Sequence, residues 1–157
     1  MRINLLCIGK TDDKKITELI SYYIARLPKH WNFEMIEIPD AKNARNLSSD
    51  LLKKEEAKLF FNHIENTDLV ILLDEKGKEF TSREFAQKLN YYQNNSIKKV
   101  CFLIGGAYGF SDEMYNRATE KLSLSKMTFT HQMIRLFFVE QIYRADQILQ
   151  VKPYHND

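Results

Sequence analysis

The chain has 157 residues, 44% hydrophobic and 12% aromatic, a composition that excludes a disordered chain and allows one domain with a real core. No apolar run approaches the ~20 residues of a membrane span, and the first residues lack signal-peptide architecture, so the expectation is a cytoplasmic protein with no membrane contact. A net charge of +2 does not by itself announce a nucleic-acid binder, and the pairs Lys14-Lys15, Lys53-Lys54 and Lys98-Lys99 read as solvated faces.

Four apolar runs follow in order: Ile3–Ile8, Phe33–Ile38, Leu69–Leu73 and Val100–Ile104. Helical spacing lies between them. Ile16, Leu19, Ile20, Tyr23, Ile24 and Leu27 form one stripe, and Leu52, Leu59, Phe60 and Ile64 another. Thr81-Ser82-Arg83-Glu84 is a capping box that opens a third helix, to about Tyr92. This rhythm predicts an α/β fold, a mostly parallel sheet flanked by helices on both faces, in a single domain over 1–157. A short helix after Ser111, a weak strand at Leu122–Leu124 and a long helix from about His131 to Leu149 complete the chain. Within the last helix, Leu136-Phe137-Phe138-Val139 is apolar all round. Such a helix is buried on more than one face, and a subunit interface is one way to bury the second.

The two cysteines, Cys7 and Cys101, sit inside apolar runs and read as buried small hydrophobes. The four histidines show no metal spacing, so no metal is expected. His131 stands out because it opens the last helix beside the polar stretch Ser123–Thr130. His155 lies in a tail, Lys152-Pro153-Tyr154-His155, with nothing to bury.

All five glycines follow predicted strands, with Gly105, Gly106 and Gly109 together after the fourth. Ligands of open parallel sheets bind outside the carboxyl ends of the strands. The turn "IGGAYGFS" is compatible with a phosphate, a dinucleotide, another ligand or none. It is not a Walker loop, since no Gly-Lys-Ser/Thr follows, and its order is G-G-x-x-G rather than G-x-G-x-x-G. Residue types therefore point to a nucleoside-like ligand without a pyrophosphate.

"IGGAYGFS", "LSLSKMTFTHQMIRLFFVEQIYRA" and the terminal "PYH", with "IGK", "FEMIEIPD" and "LLDEKGKEF" before them, together resemble the RlmH (YbeA) family. These are SPOUT-class methyltransferases acting on pseudouridine in 23S ribosomal RNA, and the likeness spans the whole chain. The resemblance implies a C-terminal trefoil knot, a homodimer, and S-adenosyl-L-methionine as methyl donor. It carries donor-binding positions onto Leu73, Gly105 (with Gly106 beside it), Leu124, Ser125, Lys126, Met127, Thr128 and Phe129. It implies transfer to N3 of pseudouridine in 23S rRNA within the 70S ribosome. Family members usually have proline where Thr130 stands and a basic residue where Asn156 stands.

The donor of such a reaction is already electrophilic, so no metal is needed. The acceptor, an imide nitrogen, must be aligned and must lose its proton. Candidates for that work are His131, Glu140, Arg144, Tyr154 and His155. Glu140 and Arg144 are spaced i,i+4 and equally read as a helix salt bridge. Arg135 and Arg144 are candidates for phosphate or the developing negative charge. Rival readings are a nucleotide-binding module without chemistry, a structural ribosome factor, and an enzyme of transfer RNA. The last usually carries an appended RNA-binding domain, for which 157 residues leave no room.

Overall fold

The computed structural model describes residues 1–150. Five strands form one sheet: β1 (Arg2–Ile8), β2 (Phe33–Ile38), β3 (Leu69–Glu79), β4 (Lys99–Ile104) and β5 (Glu120–Ser123). Their order is β2-β1-β4-β3-β5, and every pairing is parallel. Leu5 stands opposite Met35 on one side and Phe102 on the other, and Phe102 in turn faces Ile71. The strands read as unbroken apolar runs because both sheet faces are covered. Alternate residues serve the two cores: Ile3, Leu5, Cys7, Phe102 and Ile104 on one side, Leu6, Ile8, Cys101 and Leu103 on the other.

Helices α1 (Lys14–Ile24), α3 (Ser82–Asn94) and α5 (His131–Leu149) cover the first face, and α2 (Ser49–Phe61) and α4 (Asp112–Arg117) the second. Each begins where a side chain satisfies the free amides of its first turn: Asp13, Ser48, Thr81, Ser111 and Thr130. The capping box is complete, with Glu84 Oε2 accepting from the Thr81 N–H at 2.7 Å.

α5 is buried on more than one face, as its apolar pattern implies. Phe138 and Val139 are wholly inside the monomer, and Phe138 packs on Phe102 at 4.7 Å and Phe85 at 6.2 Å. On its other side α5 meets α1, where Tyr143 lies 5.5 Å from Tyr23. Sheet, α1 and α3 therefore account for most of the all-round apolar segment. Of its four residues only Phe137 remains exposed, at 38%, and it leans on Phe129 at 4.9 Å.

Two expectations are corrected. Gly77 does not follow the third strand but lies inside β3, where residues 74–77 bulge between two registers against Leu122. A Cβ at Gly77 would stand 2.6 Å from the Leu122 backbone, so only glycine lets β3 and β5 come together there. Lys99 is not part of a solvated face. It is largely buried, paired with the Asp68 carboxylate at 2.7 Å and donating to the His63 carbonyl at 3.2 Å.

Candidate active site

The carboxyl ends of β3, β4 and β5 open onto a cavity of about 420 Å³, within the range of small-molecule sites. Its walls come from the β3 bulge, the glycine turn after β4, the loop between β5 and α5, and the first turn of α5. The glycine turn closes on itself, with the Gly109 N–H donating to the Gly106 carbonyl at 3.1 Å. Gly109 has φ +76°, a conformation that demands glycine. A Cβ at Gly105 would meet the Gly109 carbonyl and the Phe110 ring at 3.2 Å, and one at Gly106 would enter the Glu56 carboxylate. The protein's own atoms crowd both positions on one side, and the cavity lies beside them.

The β5–α5 loop is held by its own serines. Ser123 Oγ donates to the Ser125 carbonyl at 2.8 Å, and Ser125 Oγ accepts from the Met127 N–H at 3.0 Å. β5 itself is anchored where Glu120 accepts from Tyr92 Oη at 2.7 Å and pairs with Lys88 at 2.5 Å. Thr130 then caps α5, its Oγ1 accepting from Met133 N–H at 3.3 Å. Its φ of −62° is also proline's, so the residue common in the resembling family and the threonine here fit the same turn.

All the donor-binding candidates except Lys126 line this cavity: Leu73, Gly105, Gly106, Leu124, Ser125, Met127, Thr128 and Phe129. Lys126 is exposed and is not among the lining residues. His131 joins them from α5. Glu140 and Arg144 do not. They bind each other, Arg144 Nη2 and Nε reaching Glu140 Oε1 at 3.0 and 3.1 Å. Glu140 is nine residues from His131, about 13.5 Å along the helix. Tyr154 and His155 lie outside the described residues. Arg135 is corrected: it is 2% exposed and donates to the Ile8 carbonyl at 2.6 Å and Thr11 Oγ1 at 2.9 Å, so it meets no phosphate.

Sequence reasoning missed the acidic wall. Asp74 and Glu75 border the cavity, and Tyr115 Oη donates to Asp74 Oδ2 at 2.5 Å, joining α4 to the β3 bulge. Burial first, and this hydrogen bond second, push the Tyr115 hydroxyl's pKa up and keep it protonated as a donor. The bond spans 41 residues of sequence, so no local pattern announces it.

The family model described as "Predicted SPOUT methyltransferase" matches residues 1–155, and the chain belongs to that family of enzymes. Among its relatives, a protein of Cytophaga hutchinsonii is 52% identical over 156 residues, covering 99% of this chain and 100% of its own. One from Parabacteroides distasonis is 50% identical over the full length of both, and one from Christiangramia forsetii is 49% identical over 99% of each. All three bear the name ribosomal RNA large subunit methyltransferase H.

Proposed function

We propose that the protein transfers the methyl group of S-adenosyl-L-methionine to N3 of a pseudouridine in 23S ribosomal RNA, working as a cytoplasmic homodimer on the assembled 70S ribosome. The observation that carries this reading is the convergence of the donor-binding candidates, from three separate strand ends, on one cavity. The C-terminal trefoil knot implied by the resemblance is part of the same reading.

The cavity fits such a donor in size and in chemistry. Leu73, Ile104, Leu122 and Ile134 offer apolar walls for a planar base, and Asp74 and Glu75 offer negative charge to a cation. S-adenosyl-L-methionine supplies an electrophilic methyl on a sulfonium. The chain's residues bind and orient. The Ser123–Ser125 loop holds one wall, and the turn 105–110 another. His131, exposed at the start of α5, stands where the acceptor base would approach, its imidazole able to hold or take the N3 proton. The Glu140–Arg144 pair lies further along α5 and serves the acceptor side, Arg144 stabilising negative charge. Tyr154 and His155 complete the acceptor side from the tail.

The experiment is methyl incorporation from labelled S-adenosyl-L-methionine into 70S ribosomes and into free 23S rRNA, mapped by mass spectrometry. Incorporation at a pseudouridine of the ribosome is expected. No incorporation into either substrate by protein that binds the donor refutes the assignment. Deleting residues 154–157 is expected to leave folding and donor binding near normal and to abolish transfer. Full activity of the truncated protein removes the tail from the site.

A further inference from the structure

Of the large apolar side chains that stay exposed, Tyr108, Tyr115, Met127 and Phe129 all border the cavity at the strand ends. Two of them are accounted for by the protein itself. Tyr115 is bonded to Asp74 and its ring lies 6.1 Å from that of Phe110, while Phe129 leans on Phe137. Tyr108 and Met127 are not accounted for in this way. They are 60% and 76% exposed, and among the described residues neither side chain makes a hydrogen bond or a ring contact. Exposed apolar groups gathered at one place mark a surface that another molecule covers.

The turn that carries Tyr108 is built to hold it still. Phe110, on the same turn, is buried and packs on Phe60 with ring centroids 6.1 Å apart. The Gly109 N–H closes the turn on the Gly106 carbonyl, which leaves Ala107 and Tyr108 at its tip. Phe110 thus serves the inner side of the turn, while most of the Tyr108 surface lies outside it. Met127 comes from a separate wall, the β5–α5 loop, where Ser125 Oγ holds its N–H. Lys126 beside it is exposed and outside the cavity, a cation at the same rim. A flat ring, a second apolar group and a cation match the base and phosphate of a nucleotide. We propose that Tyr108 is the platform on which the acceptor pyrimidine of the RNA stacks. With the methyl donor in the cavity, the base that receives the methyl comes to its mouth, where Tyr108 offers a flat face and Met127 a further apolar contact. Unpaired RNA bases are held on aromatic side chains in this manner, because every base has a π-face. This rests on the reading of the cavity as the donor site and of a pyrimidine as the acceptor.

Three variants test it: Tyr108→Ala, which removes the ring; Tyr108→Phe, which keeps the ring without its hydroxyl; and Tyr108→Leu, which keeps apolar bulk without a flat face. The measurements are kcat and KM for ribosomes at saturating S-adenosyl-L-methionine, donor titration by calorimetry, light scattering for the oligomeric state, and thermal melts. Tyr108→Ala is expected to raise KM for ribosomes about tenfold. Its kcat stays near the parent's, since stacking holds the base in the ground and transition states alike. Tyr108→Leu raises KM about fivefold, and Tyr108→Phe stays within about twofold of the parent. Donor affinity, oligomeric state and Tm are unchanged in all three. A KM within about twofold of the parent in Tyr108→Ala or Tyr108→Leu overturns the proposal, as does a rise in Tyr108→Phe equal to that in Tyr108→Ala. A loss of donor affinity that matches the rise in KM makes Tyr108 a wall of the donor site, and a changed oligomeric state makes it a subunit contact; either result overturns the platform. Parent protein that binds the donor and methylates no ribosome overturns the functional reading and the platform with it, whereas failure of the platform alone leaves the parent active.

Discussion

Arg135→Met tests the tie between the last helix and the first strand. The guanidinium, 2% exposed, donates to the Ile8 carbonyl at 2.6 Å and to Thr11 Oγ1 at 2.9 Å, and lies 3.5 Å from a Glu37 oxygen. Methionine fills much of the same volume and makes none of these contacts. Two hydrogen bonds from a charged donor contribute about 2 kcal/mol each. Against that, the buried Arg135 Nε has no partner, and removing it returns about 1 kcal/mol. The net loss is about 3 kcal/mol. For a domain of this size each kcal/mol lowers Tm by about 3 °C, so the expected fall is about 9 °C. Circular-dichroism melts and urea titrations with an unchanged m-value measure it. Donor affinity should fall as well, because Arg135 fixes the turn of α5 that brings His131 and Ile134 to the cavity. A Tm within about 2 °C of the parent would refute the reasoning.

Burial pushes the Cys7 and Cys101 thiols up to about 12, so neither should react with Ellman's reagent in native protein at pH 8, and both should react in denaturant. The native state keeps thiol protons that the unfolded chain gives up above pH 9, so stability is full below pH 9 and declines as pH rises toward 12; a flat Tm across that window contradicts this. Gly77→Ala puts a methyl against the Leu122 backbone and is expected to cost about 2 kcal/mol in a urea titration, with weaker donor binding as the β5–α5 loop shifts. Thr130→Pro loses a cap worth about 1 kcal/mol but gains a residue already suited to φ −62°, so its Tm should change by less than about 3 °C, while Thr130→Ala shows the full loss of the cap.

The strands and long helices were legible because burial on both sheet faces writes itself as apolar runs and burial on one helix face as a stripe. Phe33–Ile38 and His131–Leu149 are bounded in the structure as the sequence reads. β3 was cut short at Leu73 because Asp74-Glu75-Lys76-Gly77 has the composition of a turn, yet it continues as a bulged edge against β5. The cavity was legible only through the glycine turn and the resemblance. Arg135 was opaque for a physical reason: a buried charge is justified by a partner 127 residues away, and nothing local to α5 distinguishes it from a solvated one. The all-round apolar segment of α5 was visible, but pattern alone does not say whether its second face meets another helix or another subunit.

The contact between Arg135 and Ile8 also bears on how the chain acquires its structure. β1 is a central strand whose neighbour β4 begins at residue 99, and its carboxyl end is finished by a side chain of α5. Little of the sheet is stabilised by neighbours in sequence. The entropy of closing very long loops is therefore met before most native contacts form, which places this domain among slow folders with high contact order. During synthesis, Phe102 and Phe85 emerge uncovered on the side that α5 takes, because α5 follows β4 and α3 in the chain. The growing chain thus exposes these two rings until α5 has left the ribosome.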